Sequence, residues 1–173
     1  MDSVGRELPD WLARMPSADT DPDVEALRQR IGRLARQFER VLDEVAEAQG
    51  LSRGDWTALS VLVRAGRPVT PSELMQTLAL TSGTVSTRLK RLTEAGLIGP
   101  ATADGDARSR PVTMTERGRA RWAAATAERT RRERDLVLPA LAGRIDGLND
   151  GLATLLGALE DRLGRSGDHD LPR

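Results

Sequence analysis

The chain has 173 residues, enough for one domain of ordinary size or a small domain with helical extensions. Its 26 basic and 26 acidic residues cancel, it has no cysteine, and its one histidine, His169, lies in the polar tail "RSGDHDLPR". That composition excludes disulfides and thiolate metal sites, and it leaves zinc chemistry or a Ser-His-Asp triad almost nothing to work with. No stretch approaches the ~20 apolar residues of a membrane span, and no apolar signal core opens the chain. The expectation is a cytoplasmic protein with no membrane partner, no metal, no cofactor and no catalytic constellation.

Residues 1–20 form an N-terminal extension, with a short amphipathic helix in "ELPDWLARM" around Trp11. From residue 21 to Gly50, apolar residues fall at Val24, Leu27, Ile31, Leu34, Phe38, Val41, Val45 and Ala48. Those steps of three and four make a heptad stripe on a helix of about 40 Å. Residues 51–114 read as a compact unit of their own. "SRGDWTALSVLVRAG" is a short helix ending at Gly66, with Trp56 as core packing. In "VTPSELMQTLAL", Thr70 is the N-cap, Pro71 the first helical residue and Glu73 the partner of a capping box. "TSGTVSTRLKRLTEAGLI" is a third helix, capped by Thr81 or Ser82 and stopped at Gly96. "LIGPA" and "RPVTMT" are strands flanking "TADGDARS", whose Asp-Gly pair signals a hairpin turn.

A long helix follows from residue 115, and Pro139 is expected to separate it from a last helix. That last helix carries Leu141, Ile145, Leu148, Leu152, Leu155, Leu159 and Leu163 on one face. Its glycines lower helix propensity, so it needs a packing partner. The terminal stripes suit either a bundle within one chain or an intersubunit bundle. The self-contained middle favours the second. The fold class is thus mainly α: a winged helix-turn-helix at 51–114, three helices plus a β-hairpin wing. Helices at 21–50 and 115–165 form an intersubunit dimerisation domain, so the chain partners itself as a homodimer. Residues 1–8 and the tail at 166–173 are expected to be mobile.

Positive charge is concentrated where a DNA reader needs it. Residues 81–121 hold eight basic side chains against four acidic ones. On the third helix Val85, Leu89 and Leu92 point to the core. The opposite side carries Gly83, Thr84, Thr87, Lys90 and Arg91, with Ser86 and Arg88 on its flanks. Ser82, Thr84, Ser86 and Thr87 are small enough to let the helix enter a major groove and bond bases or phosphates. Arg88 reaches guanine edges, while Lys90 and Arg91 clamp phosphates. The same face also suits an ordinary solvated helix. The hairpin directly after it, which carries Arg108 and Arg110, favours DNA. In that wing Arg108 fits the narrow minor groove, Asp106 steadies Arg108 or the loop backbone, and Arg110 clamps a phosphate. An exposed salt bridge within the turn is the plainer alternative.

Asp106-Ala-Arg108 followed by "SRPVTMTERG" resembles the signature of MarR-family regulators, Asp-x-Arg and then Leu-Thr-x-x-Gly. Met114 takes the leucine position, and Thr115 and Gly118 match. The resemblance spans about residues 21–163. It implies a homodimer that binds a pseudo-palindromic double-stranded operator, usually as a repressor released by a small molecule. The extra N-terminal helix is similar to that of the urate-responsive subgroup. There Trp11, Arg64 and Arg88 match three ligand-site positions, and Thr57 stands where that subgroup has aspartate. Asp55 lies two residues away, about 200° round the helix. This departure speaks against urate and leaves an anionic aromatic effector as the expectation; for Trp11 an amphipathic contact at the dimer interface is the alternative. The competing reading of the whole chain is a winged-helix protein-interaction or dimerisation module that does not bind DNA.

Overall fold

The computed structural model describes residues 1–15, 20–101 and 110–164. The chain folds as seven helices and a two-stranded antiparallel sheet among the described residues: α1 Ser3–Leu12, α2 Pro22–Ala48, α3 Arg53–Ala65, α4 Pro71–Thr77, α5 Ser82–Glu94, β1 Ile98–Pro100, β2 Val112–Met114, α6 Glu116–Leu141 and α7 Ile145–Leu163. It divides into two compact units, Met1–Val41 and Leu42–Arg173.

In the first unit α1 is tied to α2 by charge. Asp2 caps α1 by accepting from the Gly5 N–H at 2.7 Å and accepts from Arg30 Nε at 2.9 Å. Arg33 donates to Glu7 and to Ser3 Oγ, each at 2.5 Å. Val4 is fully buried. The expected mobility of residues 1–8 is therefore corrected: the helix starts at Ser3, because its first turn is capped and its carboxylates are paired. The mobility expected at 166–173 concerns residues outside those described.

The second unit is organised by local caps. Ser52 and Asp55 form a capping box on α3, and Thr70 and Glu73 form one on α4 with Pro71 as the first helical residue. Thr81 caps α5 and Thr115 caps α6. Gly66 closes α3 in the left-handed region, at φ +62°, where a side chain would be strained. Ile98 pairs with Met114 and Pro100 with Val112. Val69 adds a bridge to Val112, exchanging both backbone hydrogen bonds, which tethers the entry to α4 to the sheet.

The core is aliphatic: Leu59, Leu74, Leu92, Leu97, Ile98, Val61 and Val69 are fully buried. Trp56 is half-buried on its edge, packed as expected. Its indole N–H also donates to Thr126 Oγ1 at 3.0 Å, while Trp122 donates from α6 to Ser60 Oγ at 2.8 Å. The two bonds interlock α3 and α6 in both directions, and the Arg129 guanidinium lies 4.8 Å above the Trp56 ring.

Pro139 does not separate the last two helices. α6 runs through it to Leu141 and stops at Ala142, in the left-handed region at φ +48°. A proline so close to a helix end removes one hydrogen bond from an exposed last turn, and the turn continues. α7 buries none of its residues, and it has no side-chain cap.

Candidate nucleic-acid interface

Helix α5 owes its orientation to three apolar contacts. Val85 and Leu92 are buried and Leu89 is half-buried against the same core. Its N-terminus is fixed by Thr81, whose Oγ1 lies 2.9 Å from Thr84 Oγ1 and accepts the Thr84 N–H. Facing away, Ser82, Gly83, Thr84, Ser86, Thr87, Lys90 and Arg91 are exposed, and Arg88 is half-buried. A helix face lined with small hydroxyls and cations matches the chemistry of base edges and phosphates. Lys90 lies 3.9 Å from Glu94 one turn on, a pairing too exposed to hold it.

The two arginines on the other flank are engaged. Arg91 donates to Asp55 Oδ1 and, at 2.8 Å, to Ser52 Oγ, both at the start of α3. Arg88 lies against Gly54 in the same turn. Asp106 and Arg108 fall outside the described residues, as does the Asp104-Gly105 turn. Arg110 is half-buried where the chain returns from the wing. It borders a cleft of about 830 Å³ between α4, α5 and the sheet, with Met75, Val85, Leu89 and Val112 as apolar lining and Ser82, Ser86, Lys90 and Glu94 from the polar side of α5.

The residues expected to hold an effector lie as follows. Trp11 is half-buried in the first unit. Thr57, Arg64 and Arg88 belong to the second. Thr57 Oγ1 donates to the Arg53 carbonyl at 2.8 Å, and Arg64, exposed, donates from Nε to the Ser60 carbonyl at 3.4 Å. Asp55 is turned to Ser52 and Arg91 and is only 4% exposed. The first unit has its own concavity of about 640 Å³ between α1 and α2. Its Arg30 and Arg33 are already bonded to Asp2, Ser3 and Glu7. Sequence reasoning missed the part played by Ser52, Gly54 and Asp55. The signal was present, since Ser52-x-x-Asp55 has capping-box spacing. No group of acidic or histidine side chains suited to a metal ion occurs among the described residues, and none of their helices is long and apolar enough to cross a membrane.

Residues 49–109, which run from the end of α2 through α5 and into the wing, match the model of the MarR family. The chain carries a MarR-family domain. Over 148 residues it is 28% identical to the HTH-type transcriptional regulator PecS of Dickeya dadantii, covering 79% of this chain and 88% of PecS. The fold of the MarR-family domain and its flanking helices is also that of solved structures. A Staphylococcus aureus MarR in complex with salicylate and kanamycin aligns with TM-score 0.68 and 19% identity, over 83% of this chain and 97% of that one. An S. aureus MepR F27L mutant bound to an oligodeoxyribonucleotide aligns with TM-score 0.57 and 19% identity, over 77% and 97%.

Proposed function

We propose that this protein is a homodimeric transcriptional regulator that binds a pseudo-palindromic DNA operator and represses from it until a small anionic aromatic molecule releases it. The observation that carries the reading is α5: a capped, core-anchored helix that turns hydroxyls and cations outward and is followed by the two-stranded sheet of a wing. The MarR-family match across that segment supports it, as does the oligonucleotide bound to the structurally similar MepR. The effector reading rests on the cleft beside α5, whose apolar lining suits an aromatic ring and whose Lys90 and Arg110, against one carboxylate at Glu94, suit an anion. Because Ser82, Ser86 and Lys90 border both the cleft and the recognition face, an occupant there competes with DNA. The salicylate held by the S. aureus MarR is a molecule of that class.

The test is selection of binding sequences from a random duplex pool by the wild-type protein. The enriched duplex is then titrated with and without salicylate and urate. An enriched inverted repeat with nanomolar affinity, weakened by one of the acids, is the expected result. Arg108→Ala is expected to reduce affinity for that duplex at least tenfold with the dimer intact. Equal binding by Arg108→Ala removes the wing from the interface. Trp11→Phe and Arg64→Ala, each made singly, report whether either residue contributes to release by the effector.

A further inference from the structure

The first turn of α3 does more than start a helix. Asp55 is buried, and a buried carboxylate needs both hydrogen-bond donors and a counter-charge. Its donors are the Ser52 N–H at 2.9 Å and the Ser52 hydroxyl at 2.8 Å. Its counter-charge is Arg91, which reaches across from α5 and also donates to Ser52 Oγ at 2.8 Å. A guanidinium has five N–H donors in a rigid fork. With Nη2 donating to both Asp55 and Ser52, the side chain is anchored at one nitrogen yet still 57% exposed.

The preceding residue does the same for Arg88. Gly54 has no side chain, and the space a Cβ would take is filled by the Arg88 guanidinium, whose Cζ would stand 2.8 Å from it. Two arginines one turn apart on the recognition helix therefore rest on consecutive residues of one other helix.

We infer that Gly54 and Asp55 are positioning residues for DNA recognition: Asp55 orients Arg91 toward a phosphate, and Gly54 provides the berth that aims Arg88. The inference rests on the DNA-binding reading above. Neither residue touches DNA itself. Asp55 even repels phosphate, so its benefit exists only through Arg91. Holding a long side chain in place before binding removes an ordering cost from the bound state.

Three variants test this, using the full-length protein, the duplex enriched by the wild type and a scrambled duplex. Gly54→Ala evicts the Arg88 guanidinium while favouring the helix. Its melting temperature is expected to hold or rise, while its preference for the enriched duplex over the scrambled one falls about tenfold. Asp55→Asn is expected to weaken binding to both duplexes by a similar factor and to flatten the salt dependence, because a phosphate contact carries no sequence information. In an Arg91→Gln background, Asp55→Asn should have no further effect on either affinity. Arg91→Gln itself should flatten the salt dependence by about one phosphate contact.

An unchanged preference in Gly54→Ala overturns the role of Gly54. An Asp55→Asn effect that persists without Arg91 overturns that of Asp55. A wild-type protein that enriches no sequence defeats the DNA-binding reading, and the inference falls with it.

Discussion

Gly118 has no room for a side chain. A Cβ there would run into the Leu97 carbonyl and would stand 3.0 Å from Met114 Cγ. That carbonyl is fixed, because it accepts the Thr115 N–H at 3.0 Å. Thr115 in turn caps α6 through the Gly118 N–H and donates to the Gly96 carbonyl at 2.7 Å. The Thr-x-x-Gly of the sequence signature is thus a junction where β2, α6 and the end of α5 meet at backbone distance. Alanine normally favours a helix over glycine by about 1 kcal/mol, but here backbone meets backbone and neither side can yield. Gly118→Ala is expected to cost about 3 kcal/mol of stability, read from denaturant midpoints. A loss below about 0.5 kcal/mol would mean the junction relaxes freely.

At the scale of elements, α4 is the most dependent on its ends. It has seven residues, too few to be stable by itself. Its start is held by Thr70 and by Glu73, which accepts from the Thr70 N–H at 2.7 Å and from Arg67 at 2.8 Å. The Arg67 guanidinium first, and then the Thr70 N–H, lower the Glu73 carboxyl from its ordinary 4.5 to about 2. A carboxylate with a lowered folded-state pKa stabilises the fold above its unfolded value. That contribution disappears as pH falls through the folded one. Wild type and Glu73→Gln should therefore differ in stability at neutral pH and converge between pH 4.5 and 2. Thermal melts of the two across that range are the measurement, and curves that stay parallel would contradict the cap. The α3–α6 interlock works differently. Its bonds join side chains 70 and 62 positions apart, so it stabilises only a fold already assembled.

For the whole molecule, the informative surface is apolar. Val24, Leu27, Ile31, Leu34 and Phe38 on α2 are between 39% and 62% exposed, and Leu148, Leu152, Leu156, Leu159 and Leu163 on α7 between 40% and 79%. Monomeric soluble proteins rarely leave such stripes uncovered. A 19-residue helix with three glycines, no buried residue and no side-chain cap does not stand by its own propensity. The proposed homodimer gives α7 the partner it needs. Leu152→Glu combined with Leu159→Glu is expected to convert the protein to a monomer by sedimentation, lower its helical circular dichroism and weaken DNA binding by orders of magnitude. A double variant that still sediments as a dimer would move the interface elsewhere.

By itself the sequence determined what depends on near neighbours. The caps at Thr70 and Thr81, the stop at Gly96 and the outward face of α5 follow from hydrogen bonds and periodicities within a few residues. So does the winged helix, whose elements come in an order that few other folds share. Tertiary structure decided what depends on residues far apart. Asp2 and Glu7 order residues expected to be mobile because Arg30 and Arg33 lie opposite them. Pro139 remains in α6 because an exposed last turn tolerates one lost bond. Arg91 reads in sequence as one more cation on a basic helix. Only the packed fold sets it against a buried carboxylate 36 residues away. A cap is enforced by covalent proximity, whereas a charge pair across helices exists only after the core has fixed both backbones.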